Sequence, residues 1–262
     1  MKLALSVLLS LAAVFAHAGW TPPAHPDAQK ILDEAEADTS AGRYDNALAK
    51  HLWFHENALK LDPALSGVRL SFAISDWEKL GAVYPPALEK LKAIRDEAGK
   101  AVRESVEYRQ AFIDFESFNR DWIGDVNEDN KTKELFIWLD ANKPNVATNV
   151  YDVAQRVLVA VKEFHLCGKY INPDSSYQRI LLRYRENMHG DSDEPNLFRR
   201  RYQQNYDKNR FEGDVYTLVA LLVLNERKAD ADRIATEATK VLNTREFKKA
   251  LKEAKNGKLP VE

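Results

Sequence analysis

Apolar residues recur along this chain with the period of an α-helix. Between Gly42 and Pro63 one apolar face carries Ala47, Phe54 and Ala58, which are seven and four residues apart. A face of this width must pack against another helix. Residues 215–224 form a continuous apolar run that could be a strand, but the helical pattern on both sides favours a buried helix. The pattern therefore predicts an all-α protein.

Glycine and proline positions divide the predicted helices into antiparallel hairpins. The first helix should begin near Asp27, and the second should run from Gly42 to Asp62-Pro63. Gly81 and Gly168 are interpreted as the turns of two further hairpins, with Gly81 as a helix C-cap. From about residue 99 an aromatic-rich helix is predicted to continue to residue 122. Its aromatic residues indicate core packing, with a ligand groove as the alternative.

These boundaries divide the chain into six predicted segments. They are a signal peptide (1–18), an extended lead-in (19–27), two sets of helical hairpins (28–98 and 99–190), a polar linker or short helix (191–210) and C-terminal helices (211–262).

The first 18 residues have the three parts of a signal peptide. Lys2 supplies a positive start, residues 3–15 an apolar run, and Ala16-His17-Ala18 a cleavage site. The run is shorter than the roughly 20 residues of a membrane span, so we expect no stable span after cleavage. An uncleaved anchor is the alternative. The protein is therefore predicted to be exported, either periplasmic or secreted.

The stretch from Gly42 to Pro63 also carries a recognisable motif. The motif residues are Gly42, Tyr44, Ala47, Ala58, Leu59, Leu61, Asp62 and Pro63. They resemble the tetratricopeptide repeat (TPR) family, as found in exported bacterial proteins, although the second helix is about one turn longer than the family's repeat. The resemblance is clearest over residues 28–98. It implies hairpins stacked as a short, irregular α-solenoid that binds a protein or peptide.

In the TPR family the first helices of successive repeats line a concave groove. The positions that correspond to this groove are Leu32, Glu36, Ser71 and Ser75, and Glu78 would also face it. The Lys and Asn residues with which some members clamp a terminal carboxylate are absent from these positions. The resemblance therefore implies a partner segment with apolar and basic side chains.

The charge and cysteine content reduce the number of possible partners and of possible covalent links. The 262 residues include 38 Lys and Arg against 40 Asp and Glu, a net charge of −2 that does not favour nucleic acid as a partner. The single cysteine, Cys167, cannot form an internal disulfide and is predicted to be buried, with a reactive thiol as the alternative. Arg199-Arg200-Arg201 is interpreted as a solvated segment, with a basic partner-binding patch as the alternative. The oligomeric state is left open.

His51 and His55 are the main candidates for chemistry. Four residues apart on a helix, their rings can lie on one side and hold a transition metal with ligands from another helix. The alternative is that both rings pack in the apolar face. Residues 125–130 begin like a calcium loop, but Asn130 and Phe136 stand where that loop needs Gly and Glu.

Two functions from different classes remain. No catalytic motif was found, which favours a binding scaffold without a cofactor. The alternative is an all-α enzyme or metal-binding protein that uses His51 and His55. A third option is a structural role for the charged C-terminal helices.

Overall fold

Every regular secondary-structure element in the described part of the chain is a helix. The computed structural model describes residues 19–120, 128–190 and 196–259, except for the side chains of residues 128–130. Within these ranges there are thirteen α-helices, one 3-10 helix and no strand, which confirms the all-α class. None of the described helices combines the length and apolarity that a membrane crossing requires. The predicted signal peptide and residues 125–127 of the predicted calcium loop lie outside the described residues, and residues 128–130 lie in the first turn of a helix.

The helices group into two compact units, Met1–Glu128 and Asp129–Glu262. The first, unit 1, contains α1 (Ala28–Ser40), α2 (Tyr44–Leu61), a 3-10 helix (Pro63–Leu65), α3 (Ser66–Arg69), α4 (Phe72–Val83), α5 (Pro85–Glu104) and α6 (Tyr108–Arg120). The second, unit 2, contains α7 (Glu128–Asn142), α8 (Pro144–Ala160), α9 (Phe164–Tyr170), α10 (Pro173–Gly190), α11 (Leu197–Leu224), α12 (Lys228–Val241) and α13 (Arg245–Ala254). The predicted boundaries at residues 98 and 190 both fall within a unit, because α5 packs on α6 and α10 packs on α11.

The first hairpin forms as the pattern predicts. The side chain of Asp27 caps α1 by accepting a hydrogen bond from the backbone N–H of Lys30 (3.1 Å). Gly42 adopts φ +74° in the turn, a conformation that favours glycine. Across the hairpin, Asp38 accepts hydrogen bonds from Lys50 (2.8 Å) and Arg43 (2.7 Å). These contacts hold α1 against α2 in addition to their shared apolar core.

The lead-in segment, residues 19–27, forms no helix but is anchored to the first hairpin. The ring of Trp20 meets that of Trp53 edge to face, with centroids 6.3 Å apart. The ammonium group of Lys50 lies 5.8 Å from the centroid of the Trp20 ring.

Gly81 is not a helix cap, contrary to the sequence interpretation. It lies inside α4, which continues to Val83 and ends before Pro85. A Cβ atom at Gly81 would lie 3.1 Å from the Cβ of Leu88 on α5. The glycine therefore allows α4 and α5 to approach closely.

The aromatic-rich segment forms two helices where the sequence predicted one. Ser105 (φ 64°) and Glu107 (φ 41°) adopt left-handed conformations, and α6 then folds back along α5. Phe112 and Phe118 are buried, which confirms that these aromatic residues pack in the core. Phe115 lies against Gly99, where a Cβ atom would come within 2.8 Å of its ring.

Gly168 is also not a turn residue. Helix α8 ends at Ala160, and the turn is made by Lys162 at φ 64°. Gly168 lies within α9, directly against the side chain of Asn225, which follows α11. The predicted third Gly-x-Tyr turn is therefore wrong, because the glycine is needed for close packing between helices.

Residues 191–210, predicted to be a polar linker or a short helix, include the N-terminal half of α11, and residues 191–195 lie outside the described part of the chain. The side chain of Asn196 accepts hydrogen bonds from the backbone N–H groups of Phe198 (3.0 Å) and Arg199 (3.1 Å), which caps α11. From Leu197 the helix then runs for 28 residues without a break. The predicted buried helix over residues 215–224 is its C-terminal part.

Candidate functional site

The five residues of the predicted partner groove do not form a common surface. Leu32 and Glu78 are buried, Ser75 is half-buried, and only Glu36 and Ser71 are exposed. The reason lies in α4, which packs against both α2 and α5 and therefore buries a wide arc that includes Glu78. The expectation that Glu36 and Glu78 together face a partner is corrected.

His51 packs as an aromatic core residue. Its side chain is 1% exposed, and its ring stacks on that of Trp77 with centroids 5.7 Å apart. Neither ring nitrogen has a hydrogen-bond partner among the described residues. Burial lowers the pKa of His51 to about 4, so the ring is neutral at pH 7.

His55 belongs to a polar network that connects α2, α3 and α6. Arg69 donates to the backbone oxygen of His55 (2.8 Å), and its second terminal nitrogen lies 3.0 Å from His55 Nε2. The same guanidinium binds both carboxylate oxygens of Asp114, at 2.5 and 2.9 Å. Burial, with the charge of Arg69, lowers the pKa of His55 to about 4.

This network does not have the arrangement of a metal centre. Nε2 of His55, one of the two ring nitrogens that could bind a metal, faces the cationic Arg69. Among the described residues, no group of three or more His, Cys, Asp or Glu side chains could hold a metal ion. His51 and His55 therefore lie on one helix, as their spacing predicts, without gathering a third ligand from the described chain.

Cys167 is buried in α9, as predicted. Burial raises the pKa of its thiol to about 11, so the thiolate that a nucleophile requires is scarce at neutral pH. This favours a packing role over a reactive one.

A concave surface lies in unit 2, between α8, α10 and α11. We call it the cleft; its volume is about 610 Å³. Its charged lining residues are Asp152, Arg156, Lys162, Arg179, Arg183 and Asp214, and its apolar ones are Val159, Ala160, Phe164, Ile180 and Leu218. Four basic side chains thus face two acidic ones, beside an apolar surface.

Two arginines of α10 hold the charged part of the cleft together. Arg179 and Arg183 lie one helical turn apart, on the same face. Arg179 forms an ion pair with Asp152 of α8 (3.1 Å), and Arg183 forms one with Asp214 of α11. Burial raises the pKa of the Asp214 carboxyl, although Arg183 and Arg210 oppose this shift. Each arginine thus connects α10 to a different neighbouring helix.

Comparison of the chain with protein-family models, curated proteins and solved structures found no match. The charged side chains of the cleft can bind an anionic ligand. Its lining contains no His or Cys among the described residues, and both of its carboxylates are engaged by arginines. Its half-exposed guanidinium groups are suited to hold a carboxylate or phosphate through paired hydrogen bonds.

Local sequence features explain how the helices around the cleft begin and end, although the cleft itself was not predicted from the sequence. Pro144 and Pro173 begin α8 and α10, where a missing N–H is tolerated. Lys162, in a left-handed conformation, makes the turn after α8, and its side chain lines the cleft. The one signal in the sequence was the four-residue spacing of Arg179 and Arg183, which by itself is common on exposed helix faces.

Proposed function

We propose that this chain is an exported, TPR-like helical scaffold that binds a protein or peptide partner, and that its cleft takes an acidic segment of that partner. The export and the repeat architecture rest on the pattern of residues 1–18 and on the motif from Gly42 to Pro63. The binding of an acidic segment rests on a single observation, the excess of basic side chains in the cleft.

The size of the cleft suits a short peptide segment. Ligand pockets commonly enclose about 300 to 1,000 Å³, and the cleft falls inside that range. Phe164, Ile180 and Leu218 would contact an apolar side chain of the segment, while Arg179 and Arg183 would contact a neighbouring carboxylate. A segment that alternates acidic and apolar residues fits this lining best.

The ion pairs within the cleft favour such binding. Asp152 and Asp214 hold the two guanidinium groups in place before any partner arrives, so less side-chain entropy is lost when one binds. The burial of Glu78 removes the reason for expecting a basic partner segment. An acidic segment is therefore the revised proposal.

Peptide selection on the purified chain tests the proposal. Random peptides displayed on phage should be enriched in Asp and Glu, and a synthetic copy of an enriched peptide should bind in fluorescence polarisation. Arg183→Gln should weaken that binding about tenfold, the usual effect of losing one interaction with a charged partner. Arg185→Gln, a change of the same kind at an exposed position of α10 outside the cleft, should leave it unchanged.

Two results would contradict the proposal. One is enrichment of basic or uncharged peptides. The other is equal weakening by Arg183→Gln and Arg185→Gln, which would place binding outside the cleft.

A further inference from the structure

The fold shields two histidines from water, and both lie in unit 1. His51 is buried and His55 is half-buried, one helical turn apart on α2. The other histidines of the described chain, His25, His165 and His189, are exposed. Because histidine gains its charge in mild acid, a shielded histidine couples folding to pH. Mild acid should therefore act on unit 1 through these two rings.

The surroundings of His51 do not accommodate a charged ring. Both ring nitrogens are buried without a hydrogen-bond partner in the described chain, and the ring stacks on Trp77 of α4. The charged group that faces it is the carboxylate of Asp76, also on α4. Burial lowers the pKa of His51 although this carboxylate opposes the shift. A protonated ring here would be a buried cation without a partner, which is costly.

The ring of His55 lies between helices. Its centroid is 5.2 Å from that of Phe118 on α6 and 6.4 Å from that of Trp77 on α4. Arg69 of α3 is a permanent donor 3.0 Å from Nε2, so this nitrogen accepts and a proton on it would bring two cations into contact. Burial is the largest cause that lowers the pKa of His55, followed by the charge of Arg69, and the carboxylate of Asp114 on α6 opposes them.

Arg69 connects the ring of His55 to two other helices. From α3 its guanidinium binds both carboxylate oxygens of Asp114 on α6 and the backbone oxygen of His55 on α2. A charged His55 ring would repel this guanidinium at its point of contact with all three helices. The ring cannot move away without also leaving its aromatic neighbours. Protonation therefore disturbs the packing of α6 from two sides.

We infer that His51 and His55 form an acid-sensitive lock in unit 1: the neutral rings hold α6 against α2 and α3, and their protonation loosens α6. The opening exposes Trp77 and Phe118, which are buried in the closed form. An exposed ring recovers the ordinary histidine pKa of 6.5, against about 4 in the closed form. At pH 4 each exposed ring then favours the open form by about 100-fold relative to neutral pH.

Hydrogen exchange followed by mass spectrometry tests this inference on the full-length protein. The protection of backbone amides is compared at pH 7 and pH 4, after correction for the intrinsic effect of pH on exchange. Peptides from α3 and α6 should lose protection at least about tenfold at pH 4. Peptides from α8 and α11 should lose much less, because the described histidines of unit 2 are exposed.

Two double variants assign the acid response to individual rings. His51→Phe with His55→Gln retains an aromatic ring in the core and a hydrogen-bond acceptor beside Arg69, but neither new side chain titrates. This variant should keep α6 protected at pH 4. His165→Gln with His189→Gln changes exposed histidines of unit 2 and should leave the acid response of α6 unchanged. All four positions differ from the basic residues of the cleft, so the proposed function is tested separately.

Two results would overturn the inference. One is the same loss of α6 protection in the wild-type protein and in the variant without His51 and His55, which would assign the opening to carboxylates. The other comes from NMR titration of the wild-type ring protons, which does not depend on whether that variant folds. Both rings should become protonated together with the loss of α6 protection. Titration near pH 6.5 with α6 still protected would mean that the rings are not a lock.

Discussion

Gly168→Ala tests whether this glycine serves packing or a turn. A Cβ atom at position 168 would lie 2.0 Å from Asn225 Oδ1 and 2.7 Å from its Cβ, closer than atoms can approach. Asn225 cannot move freely, because its Nδ2 donates to the backbone oxygens of Phe164 and Leu221, each at 2.9 Å. Breaking these bonds costs about 1 kcal/mol each. Overpacking adds about 1 kcal/mol or more.

The expected change in the free energy of unfolding is the sum of these losses and one gain. Alanine is favoured over glycine inside a helix by about 0.5 to 1 kcal/mol, which offsets part of the loss. We therefore expect Gly168→Ala to lower the free energy of unfolding by about 2 kcal/mol. Urea unfolding followed by circular dichroism measures the change. Gly213→Ala is the control, since a Cβ atom there would meet no neighbouring atom within 4 Å, and it should stabilise the protein slightly.

A double-mutant cycle decides between the two roles. If Asn225 is the obstacle, adding Gly168→Ala to an Asn225→Gly background, which removes the Cβ of residue 225 as well, should cost nothing further. If the same loss of about 2 kcal/mol persists in that background, the packing explanation is refuted.

Two further predictions concern unit 1. Asp114→Asn removes the carboxylate that pairs with the buried Arg69, so the free energy of unfolding should fall by about 3 kcal/mol. Lys79→Ala, in an exposed pair, should cost no more than about 1 kcal/mol, and equal losses in urea unfolding would contradict the reasoning. The pKa of folded His51 is lowered to about 4 from 6.5, so the unfolded state binds more protons between these values. Its contribution to stability is therefore complete above pH 6.5 and declines toward pH 4. His51→Phe keeps an aromatic ring on Trp77 and should make the free energy of unfolding decline less toward pH 4. Urea unfolding at several pH values measures this. An unchanged decline would count against a buried neutral His51.

Three glycines show why part of the fold was predicted wrongly. Gly42, Gly81 and Gly168 look equivalent in sequence, since each stands near the end of an apolar helical stretch. Only Gly42 of the three has a positive φ. The other two face Leu88 and Asn225, which lie outside their own helices. A close approach between helices leaves no local signal, so sequence spacing could not separate a packing glycine from a turn glycine.

The histidine pair likewise shows that local sequence can place a side chain on a helix but cannot identify its neighbours on other helices. The spacing of His51 and His55 correctly placed both on α2, and their apolar neighbours favoured the alternative that they pack in the core. What decides their state is Trp77 beside one ring and Arg69 beside the other. Neither neighbour could be assigned from periodicity, because the contacts cross from one helix to others.

The amino-acid sequence by itself determined the all-α class, the first hairpin and its Gly42 turn, and the burial of Cys167. These features depend on helical periodicity, caps and turn residues, which act over a few positions of the chain. The tertiary structure alone decided the division into two units and the formation of the cleft. Those features depend on which helix faces meet, and residues such as Arg183 and Asp214, 31 positions apart, come together only after the helices pack.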